Sequence, residues 1–491
     1  MTSHLFHLSP DNTTTLQRQI REQLVAAILD GYIAQDMSLP STRRLAKQLR
    51  VSRNTVVQVY DDLAADGYLI PRERSGYFVN PDIVAGRTTE RNSELEISGK
   101  GPDWEMLFKV DPVVQSNVHK THNWQDYKYP FIYGQLDSNL FPVNNWRECC
   151  RDAVSVQAIK DWTSDSFDSD DPLLIEQIRS RILTRRGIRA SADEILITVG
   201  SQQGLYLLAQ LLLNKDATLG IENPGYTNVA HIAKLFHAQI QLMPLDDQGL
   251  IVDDSLASCD CLYVTPSHQC PTTVTMPLER RQRLLQQAQT HEFVIIEDDY
   301  ECEVNYQSDP TPALKSFDRN DRVLYLGSLS KTLAPGLRVG FLVGPKAFIE
   351  KARTLRQLMV RHPPANNQRS VALFLARGYH DSLVRNLTRA FHERGEIMAN
   401  ALNRYLPNST LQPWGGSSFW VKGPAGLDTR QLKLRAIERG ILIESGDVYF
   451  LSEAPPLNFF KLGYSSISAE RIEPGIKELA ELIGELKNSV S

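Results

Sequence analysis

The second half of the chain contains short apolar runs that lack the alternating polar residues of a half-exposed strand. Three of them are 195–199 (ILITV), 261–264 (CLYV) and 293–296 (FVII). Between these runs lie stretches with helical periodicity, such as 205–213 and 277–289. Strands that are apolar on both faces and are separated by helices form parallel sheets with both sides covered. We therefore predict a large α/β domain built on a mainly parallel sheet.

Polar and aromatic residues follow the ends of four such runs. In open α/β sheets, ligands bind beyond the carboxyl ends of the strands. The run 195–199 continues through Gly200, Ser201 and Gln202 into a helix, whose N-terminus favours an anion such as phosphate. The other runs lead into the segments ENPGY (222–226), EDDY (297–300) and SLSK (328–331). We expect these four segments to share one ligand site.

One cofactor, pyridoxal phosphate (PLP), uses all of these groups at once. Its aldehyde reacts with a lysine amine, which makes Lys331 the candidate for a Schiff base. Its protonated pyridine nitrogen needs a carboxylate, for which Asp298 is the candidate and Asp299 the alternative. Tyr300 would bond the phenolic oxygen, and Tyr226 would stack on the ring. The residues predicted to bind the phosphate are Arg338, Ser201, Gln202, Ser328 and Ser330.

Three short helices and a hairpin are predicted at the start of the chain. Apolar residues at helical spacing predict a first helix that ends near Gly31, and Ser41 and Ser52 are suitable N-caps for the second and third helices. Two strand-like segments, 67–70 and 75–79, flank a charged turn and predict a small β-hairpin. This order of elements is typical of a winged helix-turn-helix.

The charge on these helices favours DNA as the partner. No acidic residue lies between Asp36 and Asp61, whereas five basic residues do. Arginines near helix starts can hold phosphates, and the start of the third helix can present side chains to base edges in the major groove. The predicted DNA-binding residues are Arg43, Arg44, Ser52, Arg53, Asn54, Thr55 and Gln58. The alternative is a three-helix module that binds another protein.

Both halves of the chain resemble known families. The segment LPSTRRLAKQLRVSRNTVVQVYDDLAADGYL, followed by RSGYFV, resembles the GntR-type winged helix-turn-helix. The segments ENPGY, TPSHQ, IIEDDY and SLSKTLAPGLRVG resemble fold-type I aminotransferases over roughly 130–488, and most closely the MocR/GabR regulators. The resemblance implies DNA contacts by Arg43, Arg53 and Thr55, with the wing near Ser75 and Gly76 at the minor groove. It also implies a homodimer and a PLP-dependent transferase fold with a small C-terminal α/β subdomain.

The chain is expected to have three parts: a GntR-like winged helix-turn-helix at 14–80, a polar linker at 81–129 and an aminotransferase-like domain at 130–491. The net charge of −5 argues against general binding of polyanions, so any basic surface must be local. The six cysteines show no paired spacing, and no metal site is expected. A signal peptide and an apolar run long enough for a membrane are not evident, so a cytoplasmic location is expected.

The chain departs from the aminotransferase pattern in two places. The loop TPSHQCPTT has Cys270 where those enzymes carry an asparagine that bonds the phenolic oxygen, with Gln269 or His268 as possible substitutes. Near the C-terminus, Ser465 or Ser466 stands where an arginine would bind the α-carboxylate of a substrate. A serine cannot form that charged bidentate bond. Either the effector is held differently, or another arginine takes over, for which the candidates are Arg356 and Arg361.

The leading interpretation is a transcriptional regulator that is not an enzyme. It would bind a DNA operator through its N-terminal domain and sense an amine, an amino acid or PLP itself through Lys331. The competing interpretation is an active aminotransferase with an added DNA-binding domain, which the Lys331 site permits. A third interpretation is a repressor that binds no cofactor and uses the large domain only as a dimerisation scaffold.

Overall fold

The computed structural model describes residues 14–33, 37–73, 75–84, 101–110, 123–165, 168–301, 303, 311–407, 409 and 416–490. The chain divides into two compact units, residues 1–109 and 110–491. The boundary between the units falls inside the segment 81–129, which the sequence predicts to be a linker. Two short helices, α4 (Pro81–Val84) and α5 (Trp104–Leu107), lie in the described parts of that segment.

Ahead of α4, the described residues of the first unit form three helices and a two-stranded sheet. These elements are α1 (Leu16–Leu29), α2 (Thr42–Leu49), α3 (Arg53–Ala65), β1 (Leu69–Arg72) and β2 (Gly76–Val79). The hydroxyls of Ser41 and Ser52 accept hydrogen bonds from backbone N–H groups in the first turns of α2 and α3, which confirms both predicted N-caps. The strands β1 and β2 pair in antiparallel fashion, as predicted. Apolar residues from all three helices and both strands form one core.

The second unit is built on an eight-stranded sheet with the order β4-β11-β10-β9-β8-β5-β6-β7. Its strands are β4 (Ile195–Thr198), β5 (Thr218–Asn223), β6 (Gln239–Asp246), β7 (Gly249–Leu250), β8 (Cys261–Val264), β9 (Val294–Asp299), β10 (Val323–Ser328) and β11 (Gly340–Val343). The four pairs from β10 through β9, β8 and β5 to β6 are parallel, whereas β11 and β7 pair in antiparallel fashion with their neighbours. The predicted mainly parallel sheet is therefore confirmed.

Helices cover both faces of this sheet. The α-helices described between β3 and the C-terminal part are α6 (Val143–Ala153), α7 (Val156–Trp162), α8 (Pro172–Gln177), α9 (Gly200–Leu212), α10 (Asn228–Leu235), α11 (Leu278–His291), α12 (Lys346–Val360), α13 (Ala365–Ala376) and α14 (Tyr379–Tyr405). Successive residues of one strand enter different cores, since Ile195 and Ile197 pack in one cluster and Leu196 packs in the other. Side chains alternate across a sheet, so two covered faces require strands that are apolar throughout.

The C-terminal part forms a smaller α/β subdomain. Strands β12 (Ser418–Lys422), β15 (Phe459–Gly463) and β14 (Glu444–Ser445) make an antiparallel sheet, and β13 (Ile441–Leu442) pairs in parallel with β3 (Tyr129–Pro130). Helices α15 (Thr429–Glu438) and α16 (Ala469–Val490) belong to the same subdomain. Within the described part of the chain, no helix has both the length and the apolar composition needed to cross a membrane.

Candidate functional site

Lys331 lies just beyond the end of β10, at the same edge of the sheet as the ends of β4, β5 and β9. Its Nζ atom is 3.8 Å from the centre of the Tyr133 ring. Tyr133 is buried, and its hydroxyl donates a hydrogen bond to Glu301 Oε2 at 2.9 Å. Because β9 and β10 run parallel with Asp298 opposite Leu326, the residues that follow the two strands emerge side by side.

Asp298 is the buried carboxylate of this site, with only 5% of the residue exposed. Its Oδ2 atom accepts a hydrogen bond from the Tyr263 hydroxyl at 2.8 Å, whereas Oδ1 has no hydrogen-bond partner among the described residues. Burial raises the pKa of Asp298 to about 7, partly offset by the Tyr263 bond and by the nearby Lys331 ammonium. A protonated ring nitrogen would supply both the missing donor and the missing positive charge.

Asp299, the alternative carboxylate, has a different role. Its Oδ2 atom accepts hydrogen bonds from Arg186 Nε at 2.7 Å and from the Tyr325 hydroxyl at 2.8 Å. Adjacent residues of a strand point to opposite faces, so Asp298 and Asp299 cannot both face Lys331. The ion pair with Arg186 is almost completely buried and ties β9 to the chain near α8. This geometry favours Asp298 for the pyridine nitrogen.

The first turn of α9 forms an anion site together with Arg338. Gly200 has a φ of +70°, and a Cβ atom at this position would overlap the Arg338 guanidinium. Glycine therefore allows the guanidinium to lie against the N-terminus of the helix, where backbone N–H groups and the helix dipole also favour an anion. Ser201 and Gln202 are half-buried in the same turn. These features fit the phosphate of PLP.

Two of the serines predicted to bind the phosphate lie close together after β10. The backbone N–H of Ser330 donates to the Ser328 hydroxyl oxygen at 3.2 Å. The Ser330 hydroxyl is buried and has no hydrogen-bond partner within the described part of the chain. An unpaired buried hydroxyl is costly, and a ligand oxygen would satisfy it.

Two tyrosines of the predicted site are held by hydrogen bonds. The Tyr226 hydroxyl donates to Gln202 Oε1 at 3.0 Å and accepts from Asn228 Nδ2 at 2.8 Å, which links the ring to the first turn of α9. The Tyr300 hydroxyl donates to the backbone oxygen of His268 at 2.8 Å. A bond from Tyr300 to the phenolic oxygen would require this hydroxyl to turn away from His268, and it stays a prediction.

The loop that replaces the asparagine of aminotransferases is tightly bonded. The Gln269 side-chain amide donates to Glu222 Oε2 at 3.2 Å and to the backbone oxygens of Pro224 and Cys270. The His268 Nε2 atom lies 3.3 Å from Glu301 Oε2. Burial raises the pKa of the Cys270 thiol to about 11, so the group is a neutral thiol at pH 7. The Gln269 amide is thus used within the loop, whereas His268 Nε2 and the Cys270 thiol have no hydrogen-bond partner among the described residues.

The two arginines suggested as substitutes for the missing carboxylate ligand are paired elsewhere. Arg356 Nη1 lies 2.6 Å from Asp170 Oδ1 and also bonds the backbone oxygen of Ile197, while Arg361 pairs with Asp165. Ser465 accepts a bond from Arg394 through its backbone oxygen, and the Ser465 and Ser466 hydroxyls have no partner in the described ranges. None of these residues brings a positive charge to Lys331.

The sequence interpretation overlooked Lys461. This residue lies on β15 between the buried Phe460 and Leu462, is 1% exposed, and has its Nζ atom 3.5 Å from the centre of the Tyr133 ring. The signal that could have found it is a lysine inside the otherwise apolar strand FFKLG. Lys461 and Lys331 therefore approach the same aromatic ring.

The residues predicted to contact DNA lie at the starts of α2 and α3. Arg43 and Arg44 are exposed in the first turn of α2, and Arg53 and Asn54 are exposed in the first turn of α3. Of the other three, the Ser52 hydroxyl caps α3 and lies 2.8 Å from Thr55 Oγ1, and the exposed Gln58 donates to Asp62. Because Ser52, Thr55 and Gln58 are bonded within α3, the arginines and Asn54 are the predicted side chains most open to a groove.

Comparisons with known proteins match both units. A family model for aminotransferases of class I and II matches residues 134–477, and one for bacterial regulatory proteins of the gntR family matches residues 16–79. The chain is 40% identical over 482 residues to the HTH-type transcriptional regulator TauR of Rhodobacter capsulatus, with 97% of this chain and 98% of that protein covered. It is 28% identical over 489 residues to the probable rhizopine catabolism regulatory protein MocR of Rhizobium meliloti, with coverages of 98% and 96%.

A solved structure shows the same large-domain fold. The α-aminoadipate aminotransferase LysN of Thermus thermophilus, in a complex with N-(5'-phosphopyridoxyl)-L-leucine, matches with a TM-score of 0.67 and 29% identity over 73% of this chain and 92% of that chain. The fold and the matches thus define an aminotransferase-like domain joined to a GntR-type winged helix-turn-helix. The chain belongs to the MocR/GabR family of transcriptional regulators.

Proposed function

We propose that this regulator holds PLP on Lys331 and that an amine, an amino acid or PLP itself changes its binding to an operator. The observation that carries the proposal is the buried Asp298 Oδ1 atom, which has no hydrogen-bond partner among the described residues and lies in the field of the Lys331 ammonium. A cationic donor beside this atom would stabilise the ionised carboxylate, and the protonated ring nitrogen of PLP is such a donor.

The residues of the site divide among the parts of the cofactor. PLP supplies an aldehyde that reacts with primary amines. Lys331 would bond the aldehyde carbon, Asp298 would bond the ring nitrogen, and Tyr226 would cover one face of the ring. Arg338 and the first turn of α9 would bind the phosphate, with the remaining polar residues of this set being Ser201, Gln202, Ser328 and Ser330.

The N-terminal unit would bind the operator. Arg43 and Arg44 would contact phosphates, and Arg53 and Asn54 would reach base edges from the start of α3. Two such units in a homodimer would read a paired site, because the symmetry of the protein is repeated in its DNA. An amine that replaced Lys331 on the aldehyde carbon would release the lysine from its covalent bond, and a change of conformation would then alter DNA binding. The protein would act in the cytoplasm.

The test follows the cofactor and the DNA in one sample. Protein reconstituted with PLP should be yellow, and borohydride should fix the cofactor onto the peptide that contains Lys331. Candidate amines and free PLP are then added. The visible spectrum is recorded together with the gel mobility of DNA from the region upstream of the regulator's own gene. A colourless protein without a borohydride adduct would contradict the proposal. An adduct on Lys461 would contradict the assignment of Lys331, since both ammonium groups approach Tyr133.

An active aminotransferase is the second candidate function. It is favoured by the structural match to LysN, because the residues predicted to hold PLP lie at the strand ends of the same fold. Repeated turnover between an amino donor and a keto acid, measured without DNA, distinguishes the two functions. A regulator is expected to complete at most one exchange for each bound cofactor, whereas an enzyme would continue.

A further inference from the structure

Lys331 and Arg338 belong to one closed loop, residues 329–339, which joins β10 to β11 and is called the lysine loop below. The backbone N–H of Leu329 donates a hydrogen bond to the backbone oxygen of Val339 at 3.1 Å, which closes the loop at its base. The side chains of these two residues are buried in the same core cluster. The two residues predicted to hold opposite parts of PLP therefore depend on the conformation of a single loop.

Arg338 has a backbone conformation that arginine rarely adopts. Its φ of +50° and ψ of +54° lie in the left-handed region, which is uncommon for residues that carry a Cβ atom. This conformation brings the guanidinium against the N-terminus of α9, at Gly200. A strained backbone of this kind persists only where the surrounding structure holds it.

Asn367, in the first turn of α13, holds the peptide that precedes Arg338. Its Nδ2 atom donates a hydrogen bond to the backbone oxygen of Leu337 at 2.7 Å. Because this oxygen and the N–H of Arg338 belong to one planar peptide unit, a fixed carbonyl also limits the φ of Arg338. The next residue of α13, Gln368, is buried and accepts a hydrogen bond from the backbone N–H of Asp171 at 3.0 Å. Asn367 therefore acts from a helix that is itself anchored.

Thr332, the residue after Lys331, is held in a similar way from α14. Its buried hydroxyl donates to Glu303 Oε2 at 2.6 Å and lies 3.2 Å from Nε2 of His380, a fully buried residue in the first turn of α14. The same His380 nitrogen is 3.4 Å from Glu303 Oε2. Burial tends to raise the pKa of Glu303, but His380 and Thr332 lower it below its ordinary value, so the group is a carboxylate at pH 7. These bonds tie the backbone beside Lys331 to α14.

We propose that α13 and α14 position the two cofactor-binding side chains of the lysine loop. Asn367 fixes Arg338 for the phosphate, and the bonds from α14 to Thr332 fix Lys331 for the aldehyde. This inference rests on the proposed function, which assigns these two parts of the cofactor to the loop. The residues of both helices act through Arg338 and Lys331 and are positioning residues.

The two contacts predict different losses. Without the Asn367 amide, the peptide before Arg338 can rotate, and the arginine can relax to an ordinary conformation away from the first turn of α9. Without the Thr332 hydroxyl, the backbone at Lys331 gains freedom, and its amine is less often oriented toward the aldehyde. A general loss of structure would instead weaken both functions of the loop together.

The first experiment measures the affinities of Asn367→Leu for PLP, for pyridoxal and, in the cofactor-free protein, for inorganic phosphate. The variant is expected to bind PLP and inorganic phosphate about 5- to 10-fold more weakly than wild type, and pyridoxal less than about 2-fold more weakly. Asn366→Leu is the matched control, because Asn366 lies in the same turn but is exposed; it should behave like wild type. Equal losses for PLP and pyridoxal, or the same losses in Asn366→Leu, would overturn the role of Asn367.

The second experiment measures how fast pyridoxal forms a borohydride-reducible bond to Lys331. Thr332→Val keeps the shape of the side chain but lacks the hydroxyl, and it should lower this rate about 5- to 10-fold while leaving the affinity for inorganic phosphate unchanged. Thr332→Ser restores the hydroxyl and should recover the wild-type rate. His380→Phe keeps a ring of similar size and should also be slow. Equal rates in the valine and serine variants would overturn the role of the hydroxyl, and a wild-type rate in His380→Phe would overturn the role of α14.

Failure of this inference can be distinguished from failure of the proposed function. If wild-type protein forms no borohydride adduct on Lys331 but Asn367→Leu binds inorganic phosphate more weakly, the positioning of Arg338 holds and the cofactor role fails. If the adduct forms but every variant matches wild type in its affinities and rates, the positioning role is wrong and the proposed function stands.

Discussion

Replacing Asp298 by asparagine should have opposite effects with and without the cofactor. In the cofactor-free protein, burial raises the pKa of Asp298 from 3.8 to about 7. An acid whose pKa is raised on folding destabilises the folded state, and this cost grows as pH rises from the unfolded pKa to the folded pKa. A rise of the pKa from 3.8 to about 7 lowers the free energy of unfolding by about 4 kcal/mol once the pH exceeds 7. Asparagine is uncharged, so it avoids this cost and can still accept the bond from Tyr263.

The assay is urea unfolding of both apoproteins at pH 5 and pH 8. The stability of Asp298→Asn relative to wild type should increase by about 2 to 3 kcal/mol between the two pH values, because only part of the cost is present at pH 5. The same variant should bind PLP about 10- to 100-fold more weakly, since a charged partner of the ring nitrogen is lost. Its affinity for PLP is measured from the visible spectrum.

The neighbouring aspartate provides the matched comparison. Asp299→Asn removes the buried ion pair with Arg186 and should destabilise the protein by about 3 to 5 kcal/mol, because an uncompensated guanidinium remains in the interior. The reasoning is refuted if Asp298→Asn is less stable than wild type at pH 8 without cofactor, or if it binds PLP as tightly as wild type. Either result would mean that the Asp298 carboxylate has a different partner from the one inferred.

Three further predictions concern single residues. Lys331→Ala should leave no borohydride adduct on the protein, whereas retention of an adduct would point to a different lysine. Gly200→Ala should destabilise the protein by about 1 to 3 kcal/mol, because alanine at a φ of +70° is strained. The same variant should weaken the binding of PLP about 10-fold, because the added methyl group displaces Arg338. Binding of pyridoxal, which lacks the phosphate, should change much less. Equal losses of affinity for the two ligands would contradict the phosphate site. Arg43→Ala should weaken binding to all DNA sequences alike and reduce the number of ions released on binding by about one. Arg53→Ala should instead reduce the discrimination between DNA sequences. Anisotropy titrations at several salt concentrations distinguish these outcomes.

Local patterns in the sequence were sufficient for the secondary structure around the site. The apolar runs before Gly200, after Asp260 and before Asp298 are strands, because only a sheet covered on both faces accommodates strands without polar residues. The caps Ser41 and Ser52 were predictable for a similar reason, since a hydroxyl before a helix satisfies backbone N–H groups within the same turn. Each of these inferences depends on residues that are close in sequence.

The expectations about the effector's acid were less successful. The sequence interpretation placed Ser465 or Ser466 where a carboxylate ligand was expected and considered Arg356 and Arg361 as replacements. Both arginines instead pair with aspartates, Asp170 and Asp165. Which acid an arginine meets depends on elements far apart in the chain, so no local pattern could identify these pairs.

The sequence by itself determined the kinds of elements, their order and the chemical groups at the strand ends that suit PLP, because periodicity, caps and residue types act locally. Only the tertiary structure decided which of these groups meet. Asp298 and Asp299 are equivalent in composition, but the alternation of a strand places one near Lys331 and the other on Arg186. Lys461 approaches the ring of Tyr133 although 328 positions separate the two residues, because β15 packs beside the chain that follows β3. Burial and pairing are properties of the packed molecule, and they set the charge that each group can carry.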